Sequence, residues 1–305
     1  MKPPKNGFKT FGRQCKIRDT KMTLIIGARF KDGVILVSDR KVTEENSGRE
    51  TWENKIKSPF SIPMFFGAAG YSHKFKQFNR QIIETVEARQ RQIQIENIAY
   101  AKAKGLGYSE KEKQVQKKQL SNKDIETHTD AGKVNTNVQY YTYTNEMFIK
   151  DCGNLVYELC KGRDGIIRPL LDVLFIMSAQ PQTPRLHHIG WDGEEAEMDF
   201  CAIGSGAEYI ENFLRTFWKE NMSIEEILKL CYFCIYYVQD LDLDKGVGIE
   251  EGKLPNHVVI ANNGEFGEYK GIVGKEIETI REVRTEIHKF KEVINSLPFK
   301  KANSG

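Results

Sequence analysis

The sequence predicts an α+β sandwich with sheets inside and helices outside, and three observations lead there. Apolar β-rich runs and helical runs come in blocks, in the order strands, two helices, strands, two helices and a strand. Short Gly- and Asp-containing turns, Lys31-Asp32-Gly33 and Gly190-Trp191-Asp192-Gly193, join neighbouring strands as hairpins. With 305 residues, the chain is long enough to bury a full core as one large domain or two small ones.

The elements follow in order. Residues 23–30 and 33–38 read as a hairpin, with Gly33 available for positive φ. Two more short strands are expected in 54–60 and 62–70, the second ending in Gly67-Ala68-Ala69-Gly70, small residues that allow close backbone approach. A helical pattern runs over about 74–104 and dissolves into a Lys-, Gln-, Asn- and Asp-rich stretch, so that about 90–145 is a polar insertion, either helical or flexible. The spacing of Phe148, Cys152, Leu155, Val156 and Leu159 predicts the next helix. Strands are expected in 169–180, 185–190 and 197–204. Tyr209, Ile210, Phe213, Leu214, Phe217 and Trp218 form one helical stripe, and Ser223 with Glu226 makes a capping box that starts a buried helix. Residues 256–263 are a strand. The region 271–305 closes the chain as an amphipathic helix and tail. Its narrow seam, Val283, Ile287, Phe290, Ile294 and Leu297, suits either packing on its own domain or contact with a neighbouring subunit.

Composition removes several function classes. Lysine and arginine number 45 against 42 acidic residues, both spread along the chain, so there is no basic stripe for nucleic acid. The longest apolar runs fall short of a bilayer span, which argues against a membrane protein. Residues 1–22 are basic but lack the apolar core of a secretory signal, and a cytoplasmic location is expected. Of six cysteines only Cys231 and Cys234 have motif-like spacing, and they lie inside an apolar helix, where thiols pack as small hydrophobes. His187 and His188 are adjacent on a strand and face opposite surfaces, a poor chelate. No metal and no cofactor is expected.

Several segments together are similar to the β-subunits of the proteasome, within the N-terminal-nucleophile hydrolases: TLIIGARFKDGVILVSDRKVT, FFGAAG, CAIGSGAEYIENFL, ENMSIEEILKL and DLDLDKGVGI. They occur in the family's order and cover roughly 23–72 and 147–265. The resemblance implies a four-layer αββα sandwich over 23–270, preceded by a leader, propeptide or misassigned start over 1–22. It places the nucleophilic threonine on Thr23, the carboxylate that closes the second strand on Asp39 and the catalytic lysine on Lys55. It further places the serine of the GSG motif on Ser205, its supporting aspartate on Asp242 and the oxyanion donor on the Gly70 N–H. Val42, Glu53 and Ala68 take the positions of the first specificity pocket, where an acid favours basic substrate side chains. Lys245 stands where the family commonly has a serine.

These residue types suit the implied reaction. A threonine hydroxyl needs a base, and a free N-terminal amine with a pKa of about 7.7–8.0 serves. A lysine beside the hydroxyl lowers the cost of its ionisation, and an aspartate holds that lysine in place. Met22 precedes Thr23, so the amine exists only once the chain starts at Thr23, through leader cleavage or through removal of an initiating methionine. The expected activity is a threonine endopeptidase acting on polypeptides within a homo-oligomeric ring, alone or with other proteasome-type subunits or an unfoldase. A peptide ligase using the same acyl-enzyme and a non-catalytic ring or scaffold subunit are the other readings.

Overall fold

The computed structural model describes residues 23–43, 50–58, 64–103, 144–178, 184–241, 243–272 and 275–296. Two five-stranded antiparallel sheets lie face to face. The first has the order β10-β1-β2-β11-β12, built from β1 (Ile25–Phe30), β2 (Gly33–Ser38), β10 (Phe200–Ile203), β11 (Asn256–Ala261) and β12 (Phe266–Gly267). The second has the order β5-β6-β7-β8-β9, from β5 (Ile56–Lys57), β6 (Met64–Gly70), β7 (Leu171–Met177), β8 (Arg185–Ile189) and β9 (Glu195–Met198). A small ribbon of β3 (Lys41–Thr43) and β4 (Glu50–Trp52) stands beside them.

The period-2 geometry of strands explains why the layers stack in this way. On β2, Ile35 and Val37 face the helices that cover the first sheet, while Val34 and Leu36 face the second sheet. On β7, Val173, Phe175 and Met177 face the other helical layer, and Leu174 and Ile176 face the first sheet. Both central strands are thus apolar on both faces. The outer layers are α1 (Ser72–Ala103) and α2 (Asn145–Cys160) on the second sheet, and α3 (Ala207–Phe217), α4 (Ile224–Asp240) and α5 (Glu276–Ser296) on the first. Arg89 of α1 grips Asp151 of α2 with two hydrogen bonds, Nε to Oδ2 at 3.1 Å and Nη2 to Oδ1 at 3.2 Å. Ser223 caps α4 and Glu226 closes the capping box on the Ser223 N–H at 2.7 Å.

Two expectations need correction, one element is additional, and one pair of alternatives is decided by the contacts. Gly33 is not in the positive-φ region; a side chain there would overlap the Ile260 carbonyl oxygen, so close strand approach is what requires glycine. The run 197–204 is not one strand. It divides at Asp199, with β9 in the second sheet and β10 beside β1 in the first. Arg29 holds the crossing point: its N–H donates to the Asp199 carbonyl at 2.7 Å, and its guanidinium pairs with Glu197 and Asp199 at 3.5 and 3.8 Å. The hairpin β3–β4, with Lys41 opposite Trp52 and Thr43 opposite Glu50, is an additional element that the expected strands do not include. Finally, the described part of the α5 seam packs inside its own chain: Val283 and Ile287 are buried in the core, and the Phe290 ring meets Phe213, Phe233 and Tyr237. The Ile294 side chain and Leu297 lie outside what is described.

Of the polar insertion, residues 90–103 continue α1 as helix, and 104–143 lie outside the described residues, as do 1–22. Among the described residues no helix is long and apolar enough to cross a membrane. Cys231 and Cys234 are fully buried, and burial alone raises the Cys231 thiol to about 12.

Candidate active site

Asp39 organises the site. It follows directly on β2, where its N–H donates to the Leu24 carbonyl at 3.0 Å and anchors it opposite the start of β1. Its side chain is fully buried and accepts five hydrogen bonds. Oδ1 takes the Thr23 hydroxyl and the Leu24 N–H, each at 2.9 Å, and the Lys55 ammonium at 2.7 Å. Oδ2 takes the Lys41 N–H at 3.2 Å and the Gly248 N–H at 3.3 Å. A buried carboxylate so fully supplied with donors is electrostatically satisfied.

Lys55 stands just before β5 and is 9% exposed. Its Nζ donates to Thr23 Oγ1 at 2.5 Å as well as to Asp39. Burial pushes its pKa below the ordinary lysine value, and the nearby Asp39 carboxylate opposes that shift. Thr23, Asp39 and Lys55 therefore form a closed triangle around the threonine oxygen. Thr23 is 5% exposed, and its backbone is clamped from the other side by the Gly204–Gly206 turn. The Gly206 N–H donates to the Thr23 carbonyl at 3.4 Å, and Gly204 has φ +99, where a side chain would overlap that same oxygen.

Ser205 lies within this turn, and its hydroxyl donates to Asp244 Oδ2. Asp242, expected as its partner, lies outside the described residues. Asp244, which the sequence reading passed over, is 7% exposed and also accepts the Gly246 N–H at 2.9 Å. The signal that points to it is local: an aspartate two residues before a glycine makes an Asx turn, which orients its second oxygen. Lys245 is exposed, so the residue that departs from the family pattern points away from the buried cluster.

A cavity of about 280 Å³ opens onto Thr23. Its lining brings together Lys55, Gly70 and all three expected pocket residues, Val42, Glu53 and Ala68. Gly70 has φ +131 at the end of β6, and a side chain there would overlap the Leu170 carbonyl, so glycine is obligatory. The two adjacent histidines play no part in the cavity: both sit on β8, opposite Phe175 and Leu174 of β7.

Two antiparallel sheets between helical layers, with a buried threonine at the mouth of β1, make the four-layer α+β sandwich that the resemblance implies. The chain is similar to proteasome subunits in two comparisons and shares the fold of a solved structure in a third. A family model described as proteasome subunit matches residues 121–253, which include Ser205 and Asp244 but not Thr23, Asp39, Lys55 or Gly70. Proteasome subunit beta 2 of Ignicoccus hospitalis is 25% identical over 85 residues, which span 28% of this chain and 40% of that protein's length. Among solved structures, a mutant of Anbu from Hyphomicrobium sp. strain MC1 superposes with a TM-score of 0.59 at 13% identity, over 90% of this chain and 97% of that one. The last similarity is one of fold.

Proposed function

We propose that the protein is a threonine peptidase of the proteasome type, with Thr23 as nucleophile once its α-amino group is free. The observation that carries this reading is the triangle at the Thr23 oxygen. Lys55 donates to Oγ1 at 2.5 Å and Asp39 accepts the hydroxyl hydrogen bond at 2.9 Å, so the oxygen is held in place beside a cation that stabilises an alkoxide.

In this reading the freed amine takes the hydroxyl proton as Oγ1 attacks a peptide carbonyl, directly or through water. The Lys55 ammonium stabilises the charge that develops on Oγ1, and Asp39 is a positioning residue for both groups. The Gly70 N–H supports the oxyanion of the tetrahedral intermediate. As the C–N bond breaks, the leaving amine receives the proton. Water then hydrolyses the threonyl ester and restores Thr23. Ring assembly with copies of itself or with other subunits is part of the proposal, since the sequence similarity is to a subunit of an assembly.

The test is peptide hydrolysis with a panel of fluorogenic peptides. A chain that begins at Thr23 cleaves them, Thr23→Ala abolishes the signal, and supplying a second peptide as acceptor leaves hydrolysis as the main outcome. Joined peptides in that last arm would replace the peptidase with a ligase. Equal cleavage by the Thr23→Ala protein would remove Thr23 from the chemistry.

A further inference from the structure

We propose that the cavity at Thr23 takes an acidic side chain, Asp or Glu, on the carbonyl side of the scissile bond, and that Lys57 and Lys76 select it. The proposal rests on the peptidase reading and deepens it. Glu53 considered alone points the other way, toward basic substrates, so the whole charge inventory of the cavity decides.

Four lysines and one glutamate line the cavity. Two of the lysines are already matched: Lys55 pairs with Asp39 at 2.7 Å and Lys41 with Glu50 at 2.6 Å. Lys57, half-buried, and Lys76, exposed, form no ion pair with any described residue. Against them stands only Glu53, which leaves the lining one positive charge in excess. A substrate carboxylate brings that balance to neutrality, whereas a substrate ammonium doubles the excess.

The start of α1 adds to the same preference. Ser72, Phe75 and Lys76 come from its first turns, and α1 carries no acidic residue in its first turn to offset the positive end of the helix. The remaining wall fits the stem of an acidic side chain: Val42, Ala68 and Phe75 offer apolar surface to its methylenes. Lys57 lies two residues beyond Lys55, on the same side of the β5 edge by strand periodicity, so a side chain that reaches Lys57 runs beside the reacting oxygen.

The experiment uses three acetylated peptides that differ only in Glu, Leu or Lys at one position. Calorimetry measures their binding to the Thr23→Ala protein, and kcat/KM for cleavage at that position is measured on the active protein. Binding of the Glu peptide is expected to be about tenfold tighter than that of the Lys peptide, to weaken with salt, and to lose or reverse its advantage in the Lys57→Glu/Lys76→Glu protein. Binding that favours Lys or Leu, or none of the three, overturns the proposal. Cleavage preferring Lys or Leu keeps the peptidase and overturns the acidic specificity. Preferential binding of the Glu peptide with no cleavage of any keeps the specificity and overturns the peptidase.

Discussion

Lys55 and Lys57 stand two residues apart on the edge of one cavity, in opposite surroundings. Lys55 is buried and shares its protons with Asp39 and Thr23, while Lys57 is half-exposed and unpaired among the described residues. The floor and rim of the cavity differ in the same way. On the floor each charge is held by a partner whose removal strands it in a poorly solvated place. On the rim each charge keeps its water and acts on whatever ligand arrives. On the proposed function, floor residues couple stability to chemistry, and rim residues tune selectivity at little cost to the fold.

The largest effect is expected at Asp39. Asp39→Asn leaves the buried Lys55 ammonium without its counter-charge and is expected to cost about 3–5 kcal/mol of unfolding free energy, read by urea titration, together with all peptidase activity. A loss confined to activity would show that the floor is solvated like the rim. Lys55→Met comes next: it removes the charge at Oγ1 and is expected to lower kcat by at least about 100-fold. Its stability cost should be below that of Asp39→Asn, because four donors on Asp39 remain.

Lys57→Glu with Lys76→Glu is the contrasting case. Stability should stay within about 0.5 kcal/mol of the parent while the ratio of kcat/KM for Glu and Lys peptides inverts. Ser205→Ala comes last, with an expected cost of about 1 kcal/mol by thermal or urea unfolding, because Asp244 keeps the Gly246 N–H after the hydroxyl is gone. A change larger than that would place Ser205 on the floor with Asp39.

The same contrast marks what was legible in the sequence. The strands were readable from periodicity, while Thr23, Asp39 and Lys55 were singled out by the family resemblance, and the fold explains why they meet. Thr23 stands two residues before β1 and Asp39 directly follows β2 of one antiparallel pair, so the register that sets Ile25 opposite Ser38 also brings them together. The small residues of β6 were readable because β5 and β6 are short and adjacent. The sheet switch at Asp199 was not, since it depends on Arg29, a residue 170 positions away that no local pattern connects to it. Asp244 was missed for a different reason: Asp240, Asp242 and Asp244 alternate in the sequence, and similarity alone does not fix a register among them. The α5 seam matched two partners equally well by its spacing, and only the aromatic rings of α3 and α4 packed against Phe290 resolve which it meets.

The central claim is that Thr23 acts with a free α-amine inside the triangle of Asp39 and Lys55. Intact mass with N-terminal sequencing of the protein purified from its own cells, on the same sample that is assayed for peptide cleavage, tests it most directly. The account predicts an active protein whose first residue is Thr23. A protein that cleaves peptides while Met22 remains attached would contradict it.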